Sequence, residues 1–258
     1  MTFSIRFGRP GTEIRNIRTR WSSLLLGVTI GVLLISLGCG QSVAQLPPNI
    51  GDPVFFVSRN GVVLQGHVSG KGDIWVVLLT ASTERPRDWV EFTDFLVGNG
   101  YKTLTFDQGI YSSQDKHNQS DVDRIVDGGH GALAYIENID PGGSFLTYVI
   151  GSGVGGSAAI ELAGTRLLLG LIALSPPYYP PLDHPMIDET SLPVGKLFIA
   201  SEGNANSLTD VKRYFDDSVP PRMVEIYAGD ERGVELVNGQ HADRLKTRVI
   251  EFLEAYGP

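Results

Sequence analysis

The chain has 258 residues, 42% hydrophobic and 19% charged, with a formal net charge of −8 at neutral pH. That length and apolar content bury a substantial core and exclude a disordered protein beyond the first residues, while the acidic balance excludes a nucleic-acid partner, because phosphate binding needs a basic surface. A single cysteine, Cys39, excludes disulfides and thiolate metal sites from everything that follows it.

Residues 1–44 read as a leader. Arg6, Arg9, Arg15, Arg18 and Arg20 precede the apolar run Leu24 to Gly38, the order of an export signal. Three fates stay open: lipidation at Cys39 within "SLGC", cleavage after Ala44 in "SVA", or an uncleaved anchor, since Trp21 to Cys39 is near the ~20 residues that span a bilayer. Each fate places the protein at the cell envelope or outside it. Without residues 1–38 the chain keeps 16 Lys and Arg against 28 Asp and Glu, a net charge of −12.

Residues 45–53 are a proline-rich spacer, and one domain occupies residues 54–258. "VFFV" (Val54 to Val57) and "VVLQGHV" (Val62 to Val68) flank Arg59-Asn60-Gly61, a hairpin signal. Short apolar runs then alternate with amphipathic stretches: a strand at Ile74 to Leu79, a helix near Asp88 to Val97, a strand at Lys102 to Phe106, a helix near Asp121 to Glu137. The rhythm continues with a strand at Phe145 to Ile150, a helix from about Gly156, and strands at Leu168 to Leu174 and Lys196 to Ala200. A helix near Leu208 to Phe215, a strand at Arg222 to Tyr227 and a helix at Ala242 to Tyr256 complete it. Apolar runs without alternation suit strands buried on both faces of a parallel sheet. Ser175 to Gly195 contains six prolines and reads as a loop over the carboxyl ends of the strands, where α/β sheets place ligands.

"TYVIGSGVGGSAAIE" (Thr147 to Glu161) fits two turns. Gly151, Gly153 and Gly156 have the spacing of a dinucleotide-binding turn, which also needs an acid after the next strand. That strand ends "IALSPP", so no nucleotide or other cofactor is implied. Gly151-Ser152-Gly153-Val154-Gly155 alternatively forms the strand-to-helix turn of a G-x-S-x-G nucleophile elbow, with glycine at the serine position.

Eight strands, a hairpin first and an elbow after the fifth, resemble the α/β-hydrolase fold over nearly all of Val54 to Pro258. "GYKTLTFDQGIYSS", "GSGVGGSAA", "LFIASEGN" and "IYAGDERGVEL" look like the fourth-strand segment, the elbow, the acid-bearing seventh strand and the histidine loop of its dienelactone-hydrolase-like and lysophospholipase-like branches. The resemblance implies an eight-stranded, mostly parallel sheet with an N-terminal antiparallel hairpin, helices on both faces and no large cap domain.

It also implies where a Ser-Asp-His triad would stand, and the chain departs from it three times. The nucleophile position is Gly153, the acid position Asn204 and the base position Arg232, whose guanidinium cannot take up a proton near neutrality. The implied oxyanion donors are the backbone N–H groups of Val154 and of Thr80 or Ala81. A relocated nucleophile would have to be Ser152 or Ser112, with His184 as base. Of the five histidines, His67, His117, His130 and His241 read as ordinary histidines. Asp183, His184, Asp188 and Glu189 lie together in the proline-rich loop, without a regular element to fix metal geometry.

The expected protein is therefore an exported hydrolase-fold domain without the triad, acting as a binding or interaction module of the envelope. Its alternative is an active hydrolase with a relocated nucleophile. Arg232 beside inward-facing N–H groups would suit a small anionic ligand such as a carboxylate; paired with Asp230 or Glu231, it would be an ordinary surface arginine.

Overall fold

The computed structural model describes residues 51–109, 118–179 and 194–258. The leader with Cys39, the start of the spacer, Ser112, His117, His184 and the acids of the proline-rich loop lie outside the described residues.

Eight strands form one sheet in the order β1-β2-β4-β3-β5-β6-β7-β8. Strands β1 (Asp52–Val57) and β2 (Val63–Ser69) are an antiparallel hairpin, and β2 pairs antiparallel with β4 (Lys102–Phe106). From β4 through β3 (Trp75–Leu79), β5 (Thr147–Ser152), β6 (Gly170–Leu174), β7 (Gly195–Ser201) and β8 (Arg222–Tyr227), every pairing is parallel. Strands β3, β5, β6 and β7 are buried at every position, which explains their unbroken apolar runs.

Strand alternation sends side chains into two cores. Val77, Val149, Leu171 and Phe198 pack with helices α2 (Gln119–Ile139), α3 (Val154–Thr165) and α4 (Ala205–Asp217). Val76, Ile150, Ile172 and Leu197 pack with α1 (Val90–Gly98), α5 (Glu235–Asn238) and α6 (Ala242–Tyr256) on the other face. Each such side chain, fully buried, contributes about 1.5–3 kcal/mol relative to exposure.

Boundaries shift where local chemistry overrides the apolar pattern. Pro86 opens a 3₁₀ turn, Pro86–Trp89, ahead of α1, because proline suits a first helical position. Phe145 falls in a second 3₁₀ turn, Gly143–Leu146, and is 54% exposed, so β5 starts two residues later than its apolar run, at Thr147, whose Oγ1 donates to Gly143 O at 2.7 Å. The short α5, with Leu236 and Val237 buried, is below the length that periodicity reveals. Helix α2 starts at a capping box in which Asn118 and Asp121 bond each other's backbone N–H.

Candidate functional site

The glycine-rich turn after β5 is built by contacts that leave no room for side chains at two of its positions. A Cβ on Gly151 would lie 2.1 Å from Gly155 O, and one on Gly155 would lie 2.2 Å from Leu79 O. The first turn of α3 can therefore pack onto β5 and β3 only with hydrogen at both. Between them Gly153 takes φ 51 and ψ −125, a left-handed corner from which α3 starts at Val154. Gly153 N–H donates to Leu174 O at 2.9 Å, and Gly153 O accepts from Gly156 N at 2.8 Å. A Cβ at Gly153 would meet only Ala81 Cβ, at 3.1 Å. The apex thus faces the loop after β3, and the sharp strand-to-helix turn is present with glycine at its apex.

That loop carries the expected oxyanion donors. Thr80 and Ala81 are buried at the end of β3. The Ala81 N–H donates at 3.0 Å to Oε2 of Glu84, a residue the sequence reading passed over. Glu84 is enclosed by donors: Trp89 Nε1 reaches Oε2 at 3.3 Å, Val234 N–H reaches Oε1 at 3.1 Å, and the Ser152 hydroxyl donates to Oε1. Burial pushes the Glu84 carboxyl above the usual glutamate range, and the bonds from Ser152, Ala81, Val234 and Trp89 partly oppose it. One carboxylate so ties the loops after β3 and β8 to the last residue of β5.

Ser152 is completely buried. Its place in β5 shares the parity of Tyr148 and Ile150, which pack on the α1/α6 side, so it points away from the α3 side of the elbow. Gly233, in the loop after β8, seals it: a Cβ there would lie 2.2 Å from Ser152 Oγ. One residue past the Ser152–Leu174 pair, Ser175 takes φ 50 and its buried Oγ has no hydrogen-bond partner among the described residues. A hydroxyl without an acceptor has no base to activate it.

Asn204 caps α4, its Oδ1 accepting from Ser207 N–H at 3.1 Å. Asparagine and aspartate cap equally well, so this position keeps a structural task without an acid. Arg232 is exposed in the loop after β8, and its N–H donates to Glu235 Oε2 at 3.1 Å. Asn204 and Arg232 line one open depression of about 570 Å³ with Asn206, Asp230, Glu231 and Glu235. Gly153 is not among its lining residues.

None of the described histidines hydrogen-bonds Ser152, Glu84 or Asn204. His130 lies on α2 with Nε2 3.3 Å from Thr165 Oγ1, its pKa lowered to about 4, chiefly by burial. His67 is in β2 with a buried Nδ1 that has no hydrogen-bond partner among the described residues, and His241 precedes α6 with its ring 5.7 Å from that of Tyr227. Among the described residues no group of three or more His, Cys, Asp or Glu could hold a metal ion.

No protein-family model matches the chain, and no curated protein matches it. Solved structures do. An esterase of Pyrococcus furiosus aligns with a TM-score of 0.66 at 17% identity, over 80% of this chain and 91% of the other. The dienelactone hydrolase of Anabaena variabilis aligns with a TM-score of 0.61 at 16% identity, over 80% and 99%. A monoacylglycerol lipase of Paleococcus ferrophilus aligns with a TM-score of 0.56 at 14% identity, over 75% and 99%. The strand order, the antiparallel first pair and these likenesses define the class: the chain has the α/β-hydrolase fold.

Proposed function

We propose that the protein is a non-hydrolytic binding module built on the hydrolase fold, exported and held at the cell envelope. The observation that carries this reading is the Glu84 carboxylate, which takes both the Ala81 N–H and the Ser152 hydroxyl. With Gly153 at the apex, no side chain there attacks a carbonyl, and the nearest hydroxyl in sequence is sealed on the opposite face. One of the two backbone donors that would stabilise an oxyanion is occupied as well. The depression beside Asn204 is the ligand site of this reading. It sets Asp230, Glu231 and Glu235 against the Arg232 guanidinium, a lining that suits an amine-bearing polar molecule better than the anion Arg232 alone would attract.

A second reading takes Ser152 as nucleophile and Glu84 as its base, and it draws on the same bond: a hydroxyl donating to a carboxylate of raised pKa. The named activities of the structural neighbours fit it equally. Hydrolysis of short p-nitrophenyl esters separates the two. We expect turnover no faster than that of Ser152→Ala or Ser112→Ala proteins, and some turnover from the triple change Gly153→Ser, Asn204→Asp, Arg232→His. Saturable hydrolysis abolished by Ser152→Ala would establish the second reading.

A further inference from the structure

The large apolar side chains that the described residues leave exposed are not scattered evenly. Phe55 (65% exposed), Val57 (56%), Val62 (52%) and Val63 (65%) all belong to the β1–β2 hairpin and its turn. The register sets Val57 opposite Val63 and Phe55 opposite Gln65, so strand alternation places these on one face. The other face carries Val54, Phe56 and Leu64 into the core beneath α2. Asp52 is the only carboxylate, and no Lys or Arg occurs, in either strand, and Asp52 shares the parity of the inner face. The outer face thus carries no Asp, Glu, Lys or Arg; Phe55, Val57 and Val63 surround the single polar Gln65 at its exposed end, and His67 lies at its half-buried end, on the edge strand of the sheet and its neighbour. A contiguous exposed patch of this kind marks an interaction surface.

Its place in the chain identifies what it meets. The hairpin is the first element of the domain, and twelve residues, Gly40 to Gly51, separate it from Cys39 and the apolar run Leu24 to Gly38. At the limit of about 3.3–3.6 Å per residue for any fully extended chain, twelve residues reach roughly 40 Å at most. Whether the apolar run spans a bilayer or Cys39 carries the lipid, the hairpin stays within that reach of the headgroups. A domain with a net charge of −12 gains nothing from anionic lipid, so contact must be apolar. We propose that the outer face of the β1–β2 hairpin docks on the lipid surface, seating Phe55, Val57 and Val63 at the headgroup boundary and fixing the orientation of the domain. This rests on the reading of the leader as a membrane attachment, and an apolar patch is the second attachment that strengthens a single anchor.

The test uses the full chain as processed in its own membrane, with Cys39 retained and an environment-sensitive fluorescent amino acid introduced in place of Gln65, reconstituted into vesicles of neutral phosphatidylcholine. Flotation reports attachment through the leader, and the fluorophore reports docking. We expect flotation with a blue-shifted emission that spin-labelled lipid quenches. Adding Phe55→Ser and Val63→Ser should lower the docked-to-undocked ratio about 25-fold, roughly fivefold for each side chain, without moving the unfolding midpoint. Flotation with emission unchanged from that in water would overturn the proposal and leave the leader reading intact. Absence of flotation would remove the leader reading, and docking with it.

Discussion

Replacing Glu84 with alanine should be among the most damaging single changes in the domain. Truncation strands the Ala81 N–H, the Val234 N–H, the Trp89 indole N–H and the Ser152 hydroxyl, all now donating to one carboxylate. A buried donor left without an acceptor costs about 1–3 kcal/mol, while removing a buried carboxylate relieves its desolvation, so we expect a net loss of about 3 kcal/mol. Ser152→Ala should cost about 1–2 kcal/mol, and the double variant should show coupling of about 1–2 kcal/mol, as for a hydrogen bond to a charged group. The sign of the pH dependence follows from burial raising the Glu84 pKa above its ordinary 4.5. Stability linked to this group is complete below that value and is lost as pH rises through the raised one, so the cost of Glu84→Ala should be larger at acid than at neutral pH. Urea unfolding of the four proteins at both pH values measures these quantities. A loss below 1 kcal/mol for Glu84→Ala, or additive single effects, would refute the account of Glu84 as the tie between β5 and the loops after β3 and β8.

Gly155→Ala should fail to accumulate as folded protein, because its Cβ would lie 2.2 Å from Leu79 O and 2.8 Å from Thr80 O; Gly153→Ser should fold with a loss of about 1–2 kcal/mol from its left-handed φ alone, and circular dichroism of both distinguishes them. Asn204→Ala should cost about 1 kcal/mol in thermal unfolding through loss of the α4 cap, and Asn204→Asp should cost almost nothing. Lys196 is completely buried, and burial followed by the nearby Arg222 charge lowers its pKa to about 8. Lys196→Met should therefore stabilise the domain by about 2 kcal/mol at pH 7, after allowing for the lost bond to Val194 O, with the gain shrinking as pH rises from about 8 through the lysine's ordinary 10.5. A constant gain over that range would show that the lysine charge is not what burial penalises.

The fold was legible because its sheet is central. Strands covered on both faces must be apolar throughout, and the Asn60-Gly61 turn announced the one hairpin. Boundaries were less legible where a turn borrows apolar residues, as at Phe145, or where an element is as short as α5. At the site, the glycine spacing revealed the elbow, whereas Glu84 left no local signal. It follows β3 as an ordinary acid in "TASTERP", and its role comes from Ser152 and Val234, which are 68 and 150 residues further along the chain. Residue types reveal a site when the chemistry is local to a motif; a carboxylate that gathers donors at the ends of three strands becomes visible only when the fold places those ends together.

The same contacts explain how the turn after β5 holds its shape around a glycine apex. Gly151 and Gly155 are required by the approach of α3 to β5 and β3, and Gly153 O accepts from both Gly156 and Ser157 as the helix begins. These constraints belong to the packing of a helix start against a parallel sheet, so they act whether or not residue 153 has a side chain. Asn204 is held in the same way, by the need to cap α4. Glu84, by contrast, satisfies buried donors that a working oxyanion site would leave open for substrate. The backbone of this turn is therefore fixed by packing, while Asn204 serves as the α4 cap and Glu84 takes the Ala81 N–H.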